Sequence, residues 1–327
     1  MSLVLVGSEV RQVLDMEMAL KAMDAAFRAY GEGRVNMPPK AYLTLEKGDF
    51  RAMYGEIYLP GAHICGLKWV NVHPDNPRRG LLTVMAKILL NDPDTGMEFA
   101  DLDGTLVTNY RTGAAGGLAA RHLARPDATR LGLIGAGEQA FTQVEAILKV
   151  RPIKEITIYN RTPERARALG DFIRNIYGIT VRLAETAAPA VEGQDIVVTT
   201  TPSTIPLVRR EWVAPGTHIN AIGADAAGKQ ELAPAILTGG KVVVDDWAQA
   251  SHSGEINVPL SRGELHPEQI YGSLGEIVAG KKPGRENREE ITIFDSTGLI
   301  IQDLALGYAV YQKAQEQGLG EVKEFLG

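Results

Sequence analysis

The stretch Leu131-Gly132-Leu133-Ile134-Gly135-Ala136-Gly137-Glu138-Gln139-Ala140 decides how this chain folds. An apolar run, Leu131 to Ile134, enters a glycine turn with G-x-G-x-x-A spacing. Phe141, Val144, Ile147 and Leu148 then recur on one helical face. Strand, turn and helix around that spacing are the context a dinucleotide-binding loop requires. Gly135 permits the tight turn, and Gly137 leaves room for a pyrophosphate against the backbone. Ala140 lets helix and strand pack closely, and the helix start presents N–H groups to phosphate. With Ala136, Glu138 and Gln139, these residues make the expected cofactor loop.

The next strand should run from Glu155 to Tyr159, and its end bears on which dinucleotide fits. Sites for NAD(H) place Asp or Glu there, accepting hydrogen bonds from the ribose 2′-OH. This chain has Asn160, Arg161 and Thr162, with Arg165 one turn on. No carboxylate repels a 2′-phosphate, and two guanidiniums can pair with it, which favours NADP(H) over NAD(H). Thr162 also suits a helix N-cap with Pro163 at the first helical position. The two arginines are then open to either reading, phosphate ligands or solvated charges.

At 327 residues the chain is long enough for two domains with their own cores. Its 45% hydrophobic and 23% charged residues exclude a disordered or fibrous protein. A net charge of −6 gives no electrostatic footprint for nucleic acid. The single cysteine, Cys65, cannot form an intrachain disulfide, and no leader-like or membrane-length apolar segment stands out. A soluble cytoplasmic protein without membrane or nucleic-acid partners is expected.

Asp15 to Tyr30 reads as a helix closed by Gly31, with Leu20, Met23, Phe27 and Tyr30 at helical spacing. From Pro38 to Asp103 the pattern changes to strands, and the turn sequence 91–96 marks a hairpin. This predicts a mostly antiparallel sheet in a first α+β domain, 1–113. A small-residue helix, 111–124, leads to a second domain, 114–305. Strands at 130–134, 155–159, 195–201, 217–223, 241–245 and 291–296 alternate there with helices. Six such strands predict an α/β Rossmann domain with a doubly wound parallel sheet. A last helix starts near Leu299 and extends to about Gln317, and the segment 306–327 is expected to return to the first domain as a helix.

Several segments outside the glycine loop carry a family resemblance. GLKWVNVHPDNP (66–77), NYRTGAAGGLAA (109–120), GLIGAGEQA (132–140), THINAIGAD (217–225) and IFDSTGLIIQDLA (293–305) resemble the ornithine cyclodeaminase/mu-crystallin family. KGDFRAM (47–53), INAIGADAAGKQEL (219–232) and GEINVPLSRG (254–263) are most similar to its archaeal alanine dehydrogenase branch. The resemblance covers nearly the whole chain in order. It implies a homodimer paired through the first-domain sheets, with the active site between the two domains. It implies an NAD(P)-dependent amino or imino acid oxidoreductase, first an alanine dehydrogenase. The alternatives are a cyclic imino acid reductase, an ornithine cyclodeaminase, and a binding protein for NADPH and a small ligand. Two departures stand out. Asn160-Arg161-Thr162 looks like the NADPH-binding mu-crystallin branch, and the segment between Arg51 and Lys68 is longer, which can reshape the substrate pocket.

Chemistry at a Cα–N bond needs a held carboxylate, a proton-transfer group and a hydride facing the carbon. Arg51 and Lys68 lie on first-domain strands, and Arg111 at the domain junction. By resemblance, Lys68 is the central substrate residue and Arg51 helps bind the carboxylate. Arg111, with Thr112, contacts substrate or cofactor phosphates. Asp225, after the strand ending at Gly223, is the acid/base candidate. Ile222 and Gly223 join Thr200, Thr201 and Pro202 as expected cofactor neighbours, with Ser296 and Thr297 as further contacts. Glu56 is a candidate partner for a substrate amine. The histidines form no metal-ligand spacing, so no metal is expected.

Overall fold

The structure, a computed structural model, describes residues 1–325. It divides into two units, Met1–Arg111 with the chain from Leu299 onward, and Thr112–Gly298. The division falls a little before both boundaries expected from the sequence, 113/114 and 305/306. The return begins at Leu299 because the final helix packs on the helices and strands of the first unit.

The first unit opens with β1 (Ser2–Leu5), α1 (Gly7–Val13) and α2 (Met16–Gly31). The sequence reading missed α1, which is only two turns long. Asp15 caps α2 by accepting the N–H of Met18 at 2.8 Å, as a short acid at an N-cap should. The left-handed glycine after α2 is Gly33, two residues beyond the expected closure at Gly31. The strands follow as β2 (Val35–Asn36), β3 (Ala41–Leu45), β4 (Gly48–Leu59), β5 (Ala62–Val72), β6 (Val84–Asn91) and β7 (Glu98–Asp103). β3 to β7 form an antiparallel meander. The long segment between Arg51 and Lys68 is a two-stranded ribbon, β4 and β5, turning at Pro60 and Gly61. The 91–96 turn forms as expected, with Asp92 Oδ1 accepting the N–H of Asp94 at 2.8 Å. Helix α3 (Gly104–Leu123) starts seven residues earlier than read, and the division between units falls inside it.

The second unit contains β8 (Arg130–Ile134), α4 (Glu138–Val150), β9 (Glu155–Tyr159), α5 (Pro163–Tyr177), β10 (Thr180–Ala184) and β11 (Ile196–Thr199). β12 (His218–Ala221), α6 (Pro234–Thr238), β13 (Lys241–Val244), α7 (Trp247–Ser253) and α8 (Asn257–Ser261) come next. β14 (Ile270–Ser273), α9 (Leu274–Val278) and β15 (Thr292–Asp295) complete it. The sheet has eight strands, all parallel, in the order β10-β9-β8-β11-β12-β15-β13-β14. Six strands were expected, and the additional two, β10 and β14, are its edges. Apolar cores cover both faces. Leu131, Leu133, Ile196 and Val198 face one, and Ile134, Val197, Ile219 and Val244 face the other. Strands buried on both sides read as continuous apolar runs, which is why the central ones were legible. The chain order reverses between β8 and β11, so the crevice beyond their carboxyl ends is where a ligand of such a sheet sits.

The chain then returns to the first unit as α10 (Ile300–Gln317) and β16 (Glu321–Lys323). Gly318, with φ 65°, ends the helix, so 321–323 is an edge strand on β1 rather than more helix. Positions 326 and 327 of the expected helix lie outside the described residues. The completed first sheet runs β16-β1-β7-β6-β5-β4-β2, with β3 on β4, and only the β1–β7 pair is parallel. Gly66 on β5 has no room for a side chain: a Cβ there would run into the Leu89 carbonyl oxygen on β6 and stand 2.8 Å from the tip of Leu304 on α10. Among the described residues no helix is long and apolar enough to cross a membrane.

Candidate active site

In the antiparallel register of β4 and β5, Met53 opposes Lys68, so Arg51, Met53 and Lys68 share the sheet face that α10 covers. Lys68 is 1% exposed, yet it is a lysine. Its Nζ lies 2.7 Å from Oδ2 of Asp303 on α10, itself fully buried. The other Asp303 oxygen is 3.2 Å from Nε of Arg111, and Arg111 Nη1 donates to Gln302 Oε1 at 2.8 Å. Three elements thus bring two cations to one carboxylate away from water. Burial pushes the Lys68 amine down to about 7; the Arg111 charge adds to that and Asp303 opposes it. Arg51, 6% exposed, is forked on Asp49, with Nε–Oδ1 at 2.7 Å and Nη2–Oδ2 at 3.3 Å. A desolvated, positively charged cluster of this kind is suited to one organic carboxylate.

The second unit holds the glycine loop. Gly135 has φ 108°, and a Cβ there would meet Thr200 Oγ1 at 2.6 Å, so the turn joining β8 to α4 demands glycine. Gly137 is different: a Cβ there would meet nothing within 4 Å. Packing within the protein does not require a glycine at 137, whereas a ligand backed onto the N-terminus of α4 would. Ala136 and Ala140 are buried, Gln139 half-buried and Glu138 exposed in the first turn. Asn160 joins the loop to the end of β9: its Oδ1 accepts the Ala136 N–H at 3.1 Å, and its Nδ2 donates to the Thr162 carbonyl at 2.8 Å. Arg161 and Arg165 are exposed beside it, and Thr162 caps α5 without a side-chain hydrogen bond. The surroundings therefore fit a dinucleotide with its pyrophosphate over the loop.

The carboxyl ends of β11 and β12 are tied together by a residue the sequence reading missed, Glu231. Its buried carboxylate accepts from Thr199 Oγ1, Thr201 N–H and Thr201 Oγ1, each at 2.7 Å, and from Gly223 N–H at 2.9 Å. Burial raises its pKa and the four donors oppose that rise. The clasp fixes Thr200, Thr201 and Pro202 after β11, and Ile222 and Gly223 after β12. Asp225 follows two residues later, partly exposed, with Oδ1 2.5 Å from Lys229 Nζ. Further acids back this edge. Glu255 accepts the N–H groups of Glu231 and Leu232. Asp295, pushed up to about 8 by burial, accepts those of Glu255 and Ile256. Asp245 accepts the N–H groups of Thr297 and Gly298.

The structure places the remaining expected residues less directly. Thr297 turns both its N–H and its hydroxyl to Asp245, and Ser296 beside it is 3% exposed. Thr112 is buried in α3, where its carbonyl accepts from Gln143. Glu56 lies on the sheet face opposite Lys68 and pairs with His63 at 2.8 Å, so it is not brought to the cation cluster. His73 organises its turn through Asn71 at 2.9 Å. Cys65 is half-buried, its Sγ 3.6 Å from the Asn91 carbonyl. Among the described residues no group of three His, Cys, Asp or Glu side chains is placed to hold a metal ion. Asp303 was missed as well, although an acid inside the apolar run Leu299–Leu306 was a usable signal.

Known proteins resemble this chain along its whole length. The model of the ornithine cyclodeaminase/mu-crystallin family matches residues 1–318. An alanine dehydrogenase of Archaeoglobus fulgidus is 48% identical over 326 residues, covering 99% of this chain and 98% of that protein. The structure of an archaeal alanine dehydrogenase dimer with bound NAD superposes with a TM-score of 0.95 at 48% identity, covering 99% of both chains. That of a Δ1-pyrroline-2-carboxylate reductase from Thermococcus litoralis, with NADH and L-proline, gives 0.94 at 36% identity, covering 98% of this chain and 100% of that one. A family match of this length, with relatives this similar over both units, has one consequence. The chain belongs to the ornithine cyclodeaminase/mu-crystallin family.

Proposed function

We propose that this protein is an NAD(P)-dependent oxidoreductase acting at the Cα–N bond of a small amino acid, with pyruvate and L-alanine as the first pair to test. The buried cluster of Lys68, Arg111 and Asp303 carries this reading. A protein rarely buries a lysine unless its charge has work to do. Lys68 and Arg111 hold the carboxylate of the 2-oxo acid, and Arg51, fixed by Asp49, assists. Asp225 accepts a proton from the attacking ammonia and returns one to the departing hydroxyl, so that water leaves and an imine remains. A bound reduced nicotinamide supplies the hydride that makes the imine carbon the Cα of L-alanine. Pyruvate, ammonium, NAD(P)H and a proton balance L-alanine, NAD(P)+ and water.

A cyclic imino acid such as pyrroline-2-carboxylate is the second reading, favoured by the similarity to the Thermococcus reductase. It uses the same carboxylate holders with the imine already formed. Ornithine cyclodeamination needs a group for the δ-amine, and the pairing of Glu56 with His63 disfavours that acid for the task. A pure binding protein has no use for both Lys68 and Asp225. Oxidation of NADPH and NADH with pyruvate and excess ammonium tests the first reading. Rapid turnover is the expected result. Turnover only with pyrroline-2-carboxylate would replace it by the second.

NADP(H) is the proposed cofactor. Asn160 holds the loop through its amide and adds no negative charge, while Arg161 stands exposed just after the strand and Arg165 exposed on the first turn of α5. Replacing both arginines by Ala should raise the NADPH KM about tenfold or more and leave that for NADH within about twofold, since each guanidinium–phosphate contact is charge-assisted. Equal effects on the two cofactors would refute the assignment. A homodimer through the first sheet is proposed too. The face opposite Lys68 presents Leu43, Leu45, Tyr54, Tyr58 and Trp69, all exposed, with Trp69 stacked on Phe50. Exposed large apolar side chains gathered on one sheet face, here around the Glu56–His63 pair, mark an interface.

A further inference from the structure

We propose that Asp303 is a positioning residue of the substrate site. Its carboxylate, on the first turn of α10, holds the Lys68 ammonium and the Arg111 guanidinium at fixed spacing for one incoming carboxylate. This rests on the reading that those two cations bind the substrate.

The geometry is that of a shared counter-ion. Asp303 is fully buried and divides its two oxygens, 2.7 Å from Lys68 Nζ and 3.2 Å from Arg111 Nε. These are ion pairs by distance, without hydrogen-bonding angles at Asp303. Two desolvated cations from β5 and α3 would otherwise repel each other across a medium that screens poorly. The charges facing Lys68 are Arg111 from α3, Asp303 from α10 and Lys40 from the segment before β3, so among the described residues Asp303 is the acid of this set. Gln302 supports the arrangement from the adjacent position. Its Oε1 accepts from Arg111 at 2.8 Å and from the Leu299 N–H at 3.0 Å, which caps α10 and fixes the turn carrying Asp303.

Removing the negative charge should make the Lys68 amine a stronger acid. In full-length protein labelled with 15N-lysine, the Lys68 Nζ resonance is assigned by its loss in Lys68→Met and titrated without substrate or cofactor. In Asp303→Asn it should release its proton at least about tenfold more readily than in the parent chain, one pH unit lower. An unchanged titration overturns the proposal. Asp303→Glu keeps the charge and displaces it by one methylene, and it serves as well if Asp303→Asn fails to fold. Its titration should stay near the parent value while the KM for the 2-oxo acid rises about tenfold with a smaller change in kcat, the mark of a misplaced binding group. A parent-like KM overturns the positioning role. The titration needs no turnover, so failure of the substrate reading would not be mistaken for failure of this one.

Discussion

Asp225→Asn is expected to lower kcat by about a hundredfold to ten-thousandfold, the range a positioned acid/base group supplies. NADPH binding, followed by its fluorescence, should stay within about threefold of the parent, because a neutral isostere removes proton transfer without removing volume. The fold supports so selective an effect. Asp225 lies just beyond the carboxyl end of β12, where ligands of an open parallel sheet gather. Its segment is tied down two residues earlier, where the Gly223 N–H meets Glu231 at 2.9 Å. The side chain is only partly exposed, and its neighbour Lys229, at 2.5 Å, stabilises the carboxylate and gives it a defined direction. An amide at 225 can no longer accept a proton from ammonia or an amine. A variant retaining kcat within about threefold would remove Asp225 from the chemistry.

The central strands and the glycine loop were legible because burial on both faces leaves an unbroken apolar signature, as in Ile196–Thr199 and Lys241–Val244. β10 was not. Its residues Thr180–Ala184 lie at the sheet edge, mostly exposed, and TVRLA carries no apolar run. β14 was hidden by its shortness and by Gly272. The site shows a similar division. Lys68 and Arg111 stood out as cations among apolar or small residues. Of the acids that organise the site, Asp303 was marked only by the apolar run around it, with nothing to name its partner, and Glu231 and Glu255 looked like ordinary solvated carboxylates. Their partners lie 235, 32 and 24 positions away along the chain, at Lys68, Thr199 and Glu231, and only the fold brings them together. Position held some information even so: Asp245 and Asp295 each stand at the end of an apolar strand at the ligand edge, where a carboxylate can accept N–H groups of other loops gathered there.

Lys68→Met should lower kcat/KM for the 2-oxo acid by about a thousandfold, roughly 4 kcal/mol of lost transition-state stabilisation. Most of the loss should appear in KM if Lys68 chiefly holds the carboxylate. Methionine nearly matches the lysine stem in volume, so packing against Met53 and Ile88 survives while the charge is lost. The parent enzyme should show the same dependence through pH. The amine is charged below about 7 and neutral above it. With free ammonia held constant, the KM for the 2-oxo acid should therefore rise as pH climbs through about 7, and Lys68→Met should lose that limb. Stability should move the other way. The folded value lies below the ordinary lysine value of 10.5, so between about 7 and 10.5 the unfolded chain holds a proton that the native fold has released. Burying the charge is most unfavourable below 7, and this contribution to stability improves as pH rises through the window. Weaker binding together with a higher Tm over the same pH step would identify Lys68 as their common origin. A loss of both together would point to unfolding instead, and a KM independent of pH in the parent enzyme would take Lys68 out of carboxylate binding.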